Sequence, residues 1–304
     1  MDLSPVFISV FSLGLVMFLG LMSRKTNILT SDNKRVLSSY IYYFALPALF
    51  FTEIMRTDFA QLEKKVLIGS LLPLVIVCTF LIVLYVLKLI RKDHFIIASL
   101  CIVFGSNAFF GIAFFETLLG EWGFHISVVT ASFLGIVGIV SSQLLFEYAI
   151  QEGRTRVTLI RVLRSPLIIS IVVALCFSFL RVQIAFLGKA LALLGRTAAG
   201  CAIFLLGMFI YDNFSKQVMK QAVLYSLVRI VALPLAMFIS FLFLGEISID
   251  LKKFLLLQSG IPAAITIAVF ADRYNYKAAI LSGAVVLTSL MSFMTLSILY
   301  WLAS

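Results

Sequence analysis

Apolar runs of about one bilayer thickness, repeated along the whole chain, leave few folds open to it. About 20 consecutive apolar residues cross a hydrocarbon core as a helix. Ten such runs fall at 4–22, 36–55, 66–87, 94–118, 125–150, 165–181, 186–211, 219–244, 253–272 and 277–302. With 62% hydrophobic and only 12% charged residues, a chain of 304 residues lacks the polar surface a soluble protein needs. The expectation is an all-α integral membrane protein with ten transmembrane helices. The loops are short and hold no soluble domain, and the longest polar stretch, QEGRTRVTLIRVLR at Gln151–Arg164, joins spans five and six.

The formal charge of +10 does not point to nucleic acid, because the basic residues are parcelled into small patches between apolar runs instead of gathering on one face or tail. Loops after the odd-numbered spans, with the adjoining span ends, hold 15 Lys and Arg; those after the even-numbered spans hold 8. The positive-inside rule then puts the odd loops in the cytoplasm and both termini outside the cytoplasmic (inner) membrane. The start, MDLSP, lacks the basic region of a secretory signal, so the first run reads as a retained span.

Four cysteines (Cys78, Cys101, Cys176 and Cys201) lie inside apolar runs without CxxC spacing and read as small hydrophobes. His94 and His125, the only histidines, flank span four, and no Cys/His/carboxylate cluster suggests a metal. An intramembrane serine protease needs a serine and a histidine on facing helices, which this placement does not supply. Asp212 and Asp272 sit at span ends, away from where an aspartyl protease needs its pair. No enzyme is expected.

Two spans carry their own helix breakers at mid-depth. Span four reads FGSNAFFGIAFFETLLGEWG from Phe104, and span nine reads QSGIPAAITIAVFADRYNY from Gln258. Each has a small, polar, glycine-containing break, then an apolar half-helix and a tight turn. Each is followed by a span dotted with Ser and Gly, at Thr130–Ser142 and Leu281–Phe293. The breaks lie half a chain apart, and an odd number of spans per half makes the halves inverted repeats. This divides the chain into a first five-helix repeat at 1–150, a connecting loop at 151–164 and a second repeat at 165–304. Unwound backbone at this depth is tolerated only against protein or a wet cavity, and paired broken spans point to a transporter's binding site. Gly105, Gly111, Gly260 and Pro262 are the expected breakers, with the second half-helix of span four starting near Gly111. Proline suits the first turn of the second half-helix, where an N–H has no partner anyway.

These residues resemble the auxin efflux carrier family in its bacterial membrane-transporter branch. LSSYIYYFALPALFF at Leu37–Phe51 is similar to its second helix, with Pro47 at the matching place. SNAFFGIAF at Ser106–Phe114 and IPAAITIAVFADRYNY at Ile261–Tyr276 are similar to its broken fourth and ninth helices. The resemblance covers nearly the whole chain. It implies two inverted five-helix repeats, a scaffold part, and a transport part whose helices four and nine cross near the midplane, as in bile-acid/sodium symporter-type carriers. It also implies an organic anion as substrate (auxin in some members, malate or malonate in bacterial ones) and a homodimer. Ala113 stands where the family has a proline in helix four, which blunts the expected crossing.

The function read from this is a secondary carrier for a small organic anion, a carboxylate, working by alternating access. A receptor that binds a small molecule without moving it is the alternative, and a channel would show rings of charge or filter repeats. Asn107, Ser106 and Gly111 from one repeat and Gln258, Ser259, Gly260 and Pro262 from the other are the expected substrate-binding residues. Arg229, deep in span eight, joins them as a counter-charge, against a reading as a snorkelling or buried-pair residue that is slightly favoured. Glu53, Glu147 and Asp212 read as interfacial carboxylates. No cofactor is expected; a coupling ion, proton or sodium, stays open.

Overall fold

The computed structural model describes residues 4–56, 64–150, 163–180, 185–213 and 215–303, so most of the connecting loop at 151–164 lies outside the described residues. The elements are all helical: α1 (Ser4–Lys25), α2 (Ser31–Tyr40), α3 (Leu46–Arg56), α4 (Lys64–Val86), α5 (Lys92–Val103), α6 (Ile112–Ile150), α7 (Pro166–Phe179), α8 (Ala185–Asn213), α9 (Lys216–Leu244), α10 (Ile249–Ser259), α11 (Ile265–Arg273) and α12 (Ala278–Leu302). Two π-helical turns interrupt this order, Ile41–Ala45 between α2 and α3, and Asn107–Gly111 before α6.

Among the described residues, five helical stretches are long and apolar enough to cross a membrane: Lys64–Val86, Phe114–Ile150, Phe186–Asp212, Lys216–Leu244 and Ala278–Leu302. α1 runs unbroken for 22 residues, whereas the other apolar runs are divided or short, for local reasons. Pro47 cannot donate to the preceding turn, and its ring crowds the carbonyl four residues back. The chain answers with a π turn just before it, where the Leu46 N–H reaches Ile41 O. Spans four and nine stop halfway at α5 and α10, and α7 has 14 residues. α6 is two helices joined across a kink at Gly120, whose φ of 65° suits glycine and strains other residues.

The most extensive helix contacts fall into two sets. In one, α1 lies along α8, and α3 packs on α7 and α8. In the other, α4, α5, α6, α9, α10, α11 and α12 surround the two broken spans. The first set depends on glycines that let backbones touch. A Cβ on Gly20 would lie 1.9 Å from Phe204 O, and one on Gly207 would lie 1.9 Å from Met17 O. Of the glycines in RTAAGCAIFLLG, Gly207 makes that approach, whereas Gly200 has nothing within 4 Å.

Charged groups tie the helix ends. Asp212 accepts from Arg24 Nη2 at 2.7 Å and from Lys34 Nζ at 2.8 Å, which joins α1, α2 and α8. At the start of α5, Asp93 accepts from the Tyr276 hydroxyl at 3.0 Å and pairs with Lys277 Nζ at 3.3 Å. Partial burial opposes ionisation of this carboxyl, but the Tyr276 and Lys277 contacts prevail and hold it below the usual aspartate range. Glu147, near the end of α6, is buried beside the stacked Phe146 and Tyr274 rings.

Candidate functional site

The two breaks meet. α5 ends at Val103 and Phe104 turns extended, at φ −124° and ψ 102°. α10 ends at Ser259, and Gly260 leaves the helix at φ −86° and ψ −1°. The freed segments then pair as a short antiparallel bridge between Gly105 and Ala263. Ser106 N donates to Pro262 O at 2.9 Å, and Ala264 N donates to Phe104 O at 2.9 Å. Each break therefore satisfies backbone groups of the other, which a buried position requires. The Ala263 N–H, facing away from that pair, donates to Thr288 Oγ1 on α12 at 3.2 Å.

This geometry shifts two expected positions. The second half of span four begins at Asn107, with the Phe110 and Gly111 N–H groups both reaching Ser106 O, so Gly111 closes a π turn rather than starting the half-helix. Pro262 lies in the paired segment three residues before α11, not in its first turn. Proline is tolerated there because its carbonyl is the group the bridge uses. The backbone at Ala113 is helical, so the break of span four falls before it and needs no proline at that position.

Three cavities adjoin the crossing, and the expected residues divide among them. Asn107, Arg229, Gln258 and Ser259 line a cavity of about 20 Å³ with Gly105 and Ser70. Ser106 and Asn107 line a second, of about 10 Å³, with Phe50, Gly135 and Thr266. Ser106 and Pro262 border a third, of about 30 Å³, against Met17 of α1 and Ile203 of α8. Asn107 thus stands between the first two. Gly260 faces elsewhere: a Cβ on it would meet Leu299 Cδ1 at 2.6 Å. Thr266, Thr288 and Ser70 were missed by sequence reasoning. A hydroxyl in the first turn after PAAI was a usable signal for Thr266; no local pattern marks the other two.

Arg229 corrects the favoured reading of its role. It is 3% exposed, so it does not snorkel, and among the described residues no carboxylate pairs with it. Its Nε donates to Ile261 O at 3.0 Å, and its Nη1 donates to Cys101 O at 2.7 Å and Ile102 O at 2.8 Å. These are the carbonyls that the last turn of α5 and the break after α10 leave open. Nη2 lies against Gly105, where a Cβ would be only 2.5 Å away. Two acceptors in the same cavity, Gln258 Oε1 and Ser70 Oγ, are buried without a hydrogen-bond partner.

The crossing is therefore electrically divided. C-terminal helix ends carry about half a negative charge and N-terminal ends about half a positive one. The guanidinium sits at the C-terminal ends of α5 and α10. At the other pole, the first turns that begin at Asn107 and Ile265 border the cavity of Ser106, Asn107 and Thr266, whose lining contains no acidic residue.

A crossing of this kind is a carrier feature, and the comparison with known families decides which. Residues 5–300 match the family described as membrane transport protein. The chain belongs to the auxin efflux carrier family. Its family and its long apolar helices make it a multi-pass membrane protein. It is also similar to the lysosomal cholesterol signaling protein of Mus musculus, 22% identical over 318 residues, which cover 94% of this chain and 36% of that relative. The chain thus spans about a third of the length of the curated relative it matches.

Proposed function

We propose that this transporter is a secondary carrier for a small organic anion, a carboxylate, working by alternating access in the cytoplasmic membrane. The observation that carries the reading is the uneven neutralisation of the crossing. Its negative helix ends hold Arg229, whereas the cavity beside its positive ends is lined without a carboxylate. A helix N-terminus with free N–H groups is a ready anion site. Asn107, Ser106 and Thr266 supply further donors beside it. Gln258, Ser259 and Arg229 complete the far side of Asn107, and Gly105, Gly260 and Pro262 shape the break.

At about 10 Å³, this cavity has no more room than one water molecule. An organic anion enters only if the wall opens, and that wall is Phe50 of α3, from the first set of helices. Phe50 packs so closely that a Cβ on Gly135 would meet its ring at 2.7 Å. Separation of the two helix sets is the motion that alternating access requires. The reading includes ten spans in two inverted repeats with both termini outside. The pairing of α1 with α8 and of α3 with α7, spans one with seven and two with six, supports that symmetry.

The mouse relative is a signaling protein, which favours a second reading in which the chain senses a small molecule. Flux separates the two. Proteoliposomes containing the protein are expected to take up a radiolabelled carboxylate saturably and to exchange it against an internal pool. Saturable binding with no net or exchange flux would replace the carrier by a receptor.

A further inference from the structure

In carriers built on broken helices, half-helix C-termini and unwound carbonyls are the groups that coordinate a coupling cation. Here such carbonyls converge: Cys101 O and Ile102 O from the last turn of α5, and Ile261 O from the break after α10. All three lie 2.7–3.0 Å from guanidinium nitrogens of Arg229. The side chain is buried, and among the described residues no carboxylate neutralises it, so the carbonyls and helix ends are its counter-charge. A charge that deep is costly unless its donors are met and an opposite field surrounds it.

We propose that Arg229 is a tethered cation that fills the seat of a coupling ion at the crossing, so that the protein binds neither sodium nor potassium there. Its charge does not dissociate, and it travels with α5, α9 and α10, which belong to one set of packed helices. The negative ends of the crossing stay neutralised through the whole cycle, and substrate movement is not tied to cation release from this place. The consequence for transport rests on the carrier reading above; the occupied seat does not.

The test uses the full chain purified in detergent and needs no substrate. Wild type is expected to melt at the same temperature in sodium, potassium and choline chloride of equal ionic strength. A saturable rise specific to sodium or potassium would overturn the proposal, because it would reveal a free cation bound to the folded state. Arg229→Ala is expected to melt several degrees lower and to recover saturably with millimolar methylguanidinium, but not with tetramethylammonium, which has no N–H to donate. A variant that melts like wild type, or one that methylguanidinium leaves unmoved, would also overturn it. If Arg229→Ala cannot be purified folded, Arg229→Lys stands in. It keeps the charge with a compact head in place of the fork, so a melting temperature below that of wild type is expected, and one equal to wild type would overturn the proposal. Absence of flux would bear on the carrier alone.

Discussion

Gly105→Leu is expected to lower the melting temperature of the purified protein by the equivalent of about 3–5 kcal/mol and to abolish its response to carboxylates, as read by thermal unfolding. A Cβ at this position would lie 2.5 Å from Arg229 Nη2 and 3.0 Å from Asn107 Nδ2. In most surroundings the tip of an arginine moves aside cheaply. Here Nε and Nη1 are held by three carbonyls, so making room for Nη2 breaks those bonds and leaves a buried charge without its acceptors. Among the described residues the amide of Asn107 makes a single weak hydrogen bond, 3.4 Å to Gly105 O, and it is pushed out of the space between the two cavities. Gly105→Ala is expected to act in the same direction with a smaller shift. A Gly105→Leu protein with wild-type stability and carboxylate response would show that the guanidinium is not fixed in this place.

Gly207→Leu is the second large effect, and it acts through packing alone. The added Cβ would lie 1.9 Å from Met17 O and 2.8 Å from Leu21 N, and both are backbone atoms of a helix that cannot flex locally. Relief requires α1 to move off α8, which opens the most extensive helix contact among the described residues. Overpacking a core costs about 1–3 kcal/mol, and a clash with backbone belongs at or beyond the top of that range. Gly188→Ala on the same helix is the control. Nothing lies within 4 Å of its Cβ, so it should be neutral or slightly stabilising through helix propensity. Detergent-extracted Gly207→Leu that melts with wild type would mean that α1 and α8 are further apart than this packing requires.

Much of this was legible in the sequence, for physical reasons that also mark where legibility ended. Continuous apolar runs of about 20 residues report membrane helices because a helix satisfies its own backbone in lipid, whereas barrel strands are shorter and alternate. Gly105, Gly260 and Pro262 marked the breaks because few other residues leave a helix so readily. The bridge between Phe104–Ser106 and Pro262–Ala264 was not legible, since its bonds are between backbone groups that every residue carries. The role of Arg229 stayed hidden for the same reason: its acceptors are carbonyls of Cys101, Ile102 and Ile261, which leave no trace in residue type. A search for a carboxylate partner in the sequence could only lead toward snorkelling or an ion pair. The start of the second half-helix was misplaced toward Gly111 because glycine is a signal for a break, whereas the π turn from Asn107 absorbs it. Thr266 was within reach, as a hydroxyl in the first turn of α11.

The central claim is that the positive pole of the crossing binds a carboxylate through Asn107. The measurement that tests it most directly is the melting temperature of wild type and Asn107→Leu, titrated with mono- and dicarboxylates. A ligand that binds only the folded state stabilises it by about 2.7 kcal/mol at a hundredfold excess over Kd. The account predicts a saturable rise with at least one carboxylate in wild type. In Asn107→Leu it predicts near-native melting without ligand, because the amide makes so little of the structure, and no rise with the same acid. No rise in wild type, or an equal rise in both proteins, would contradict it.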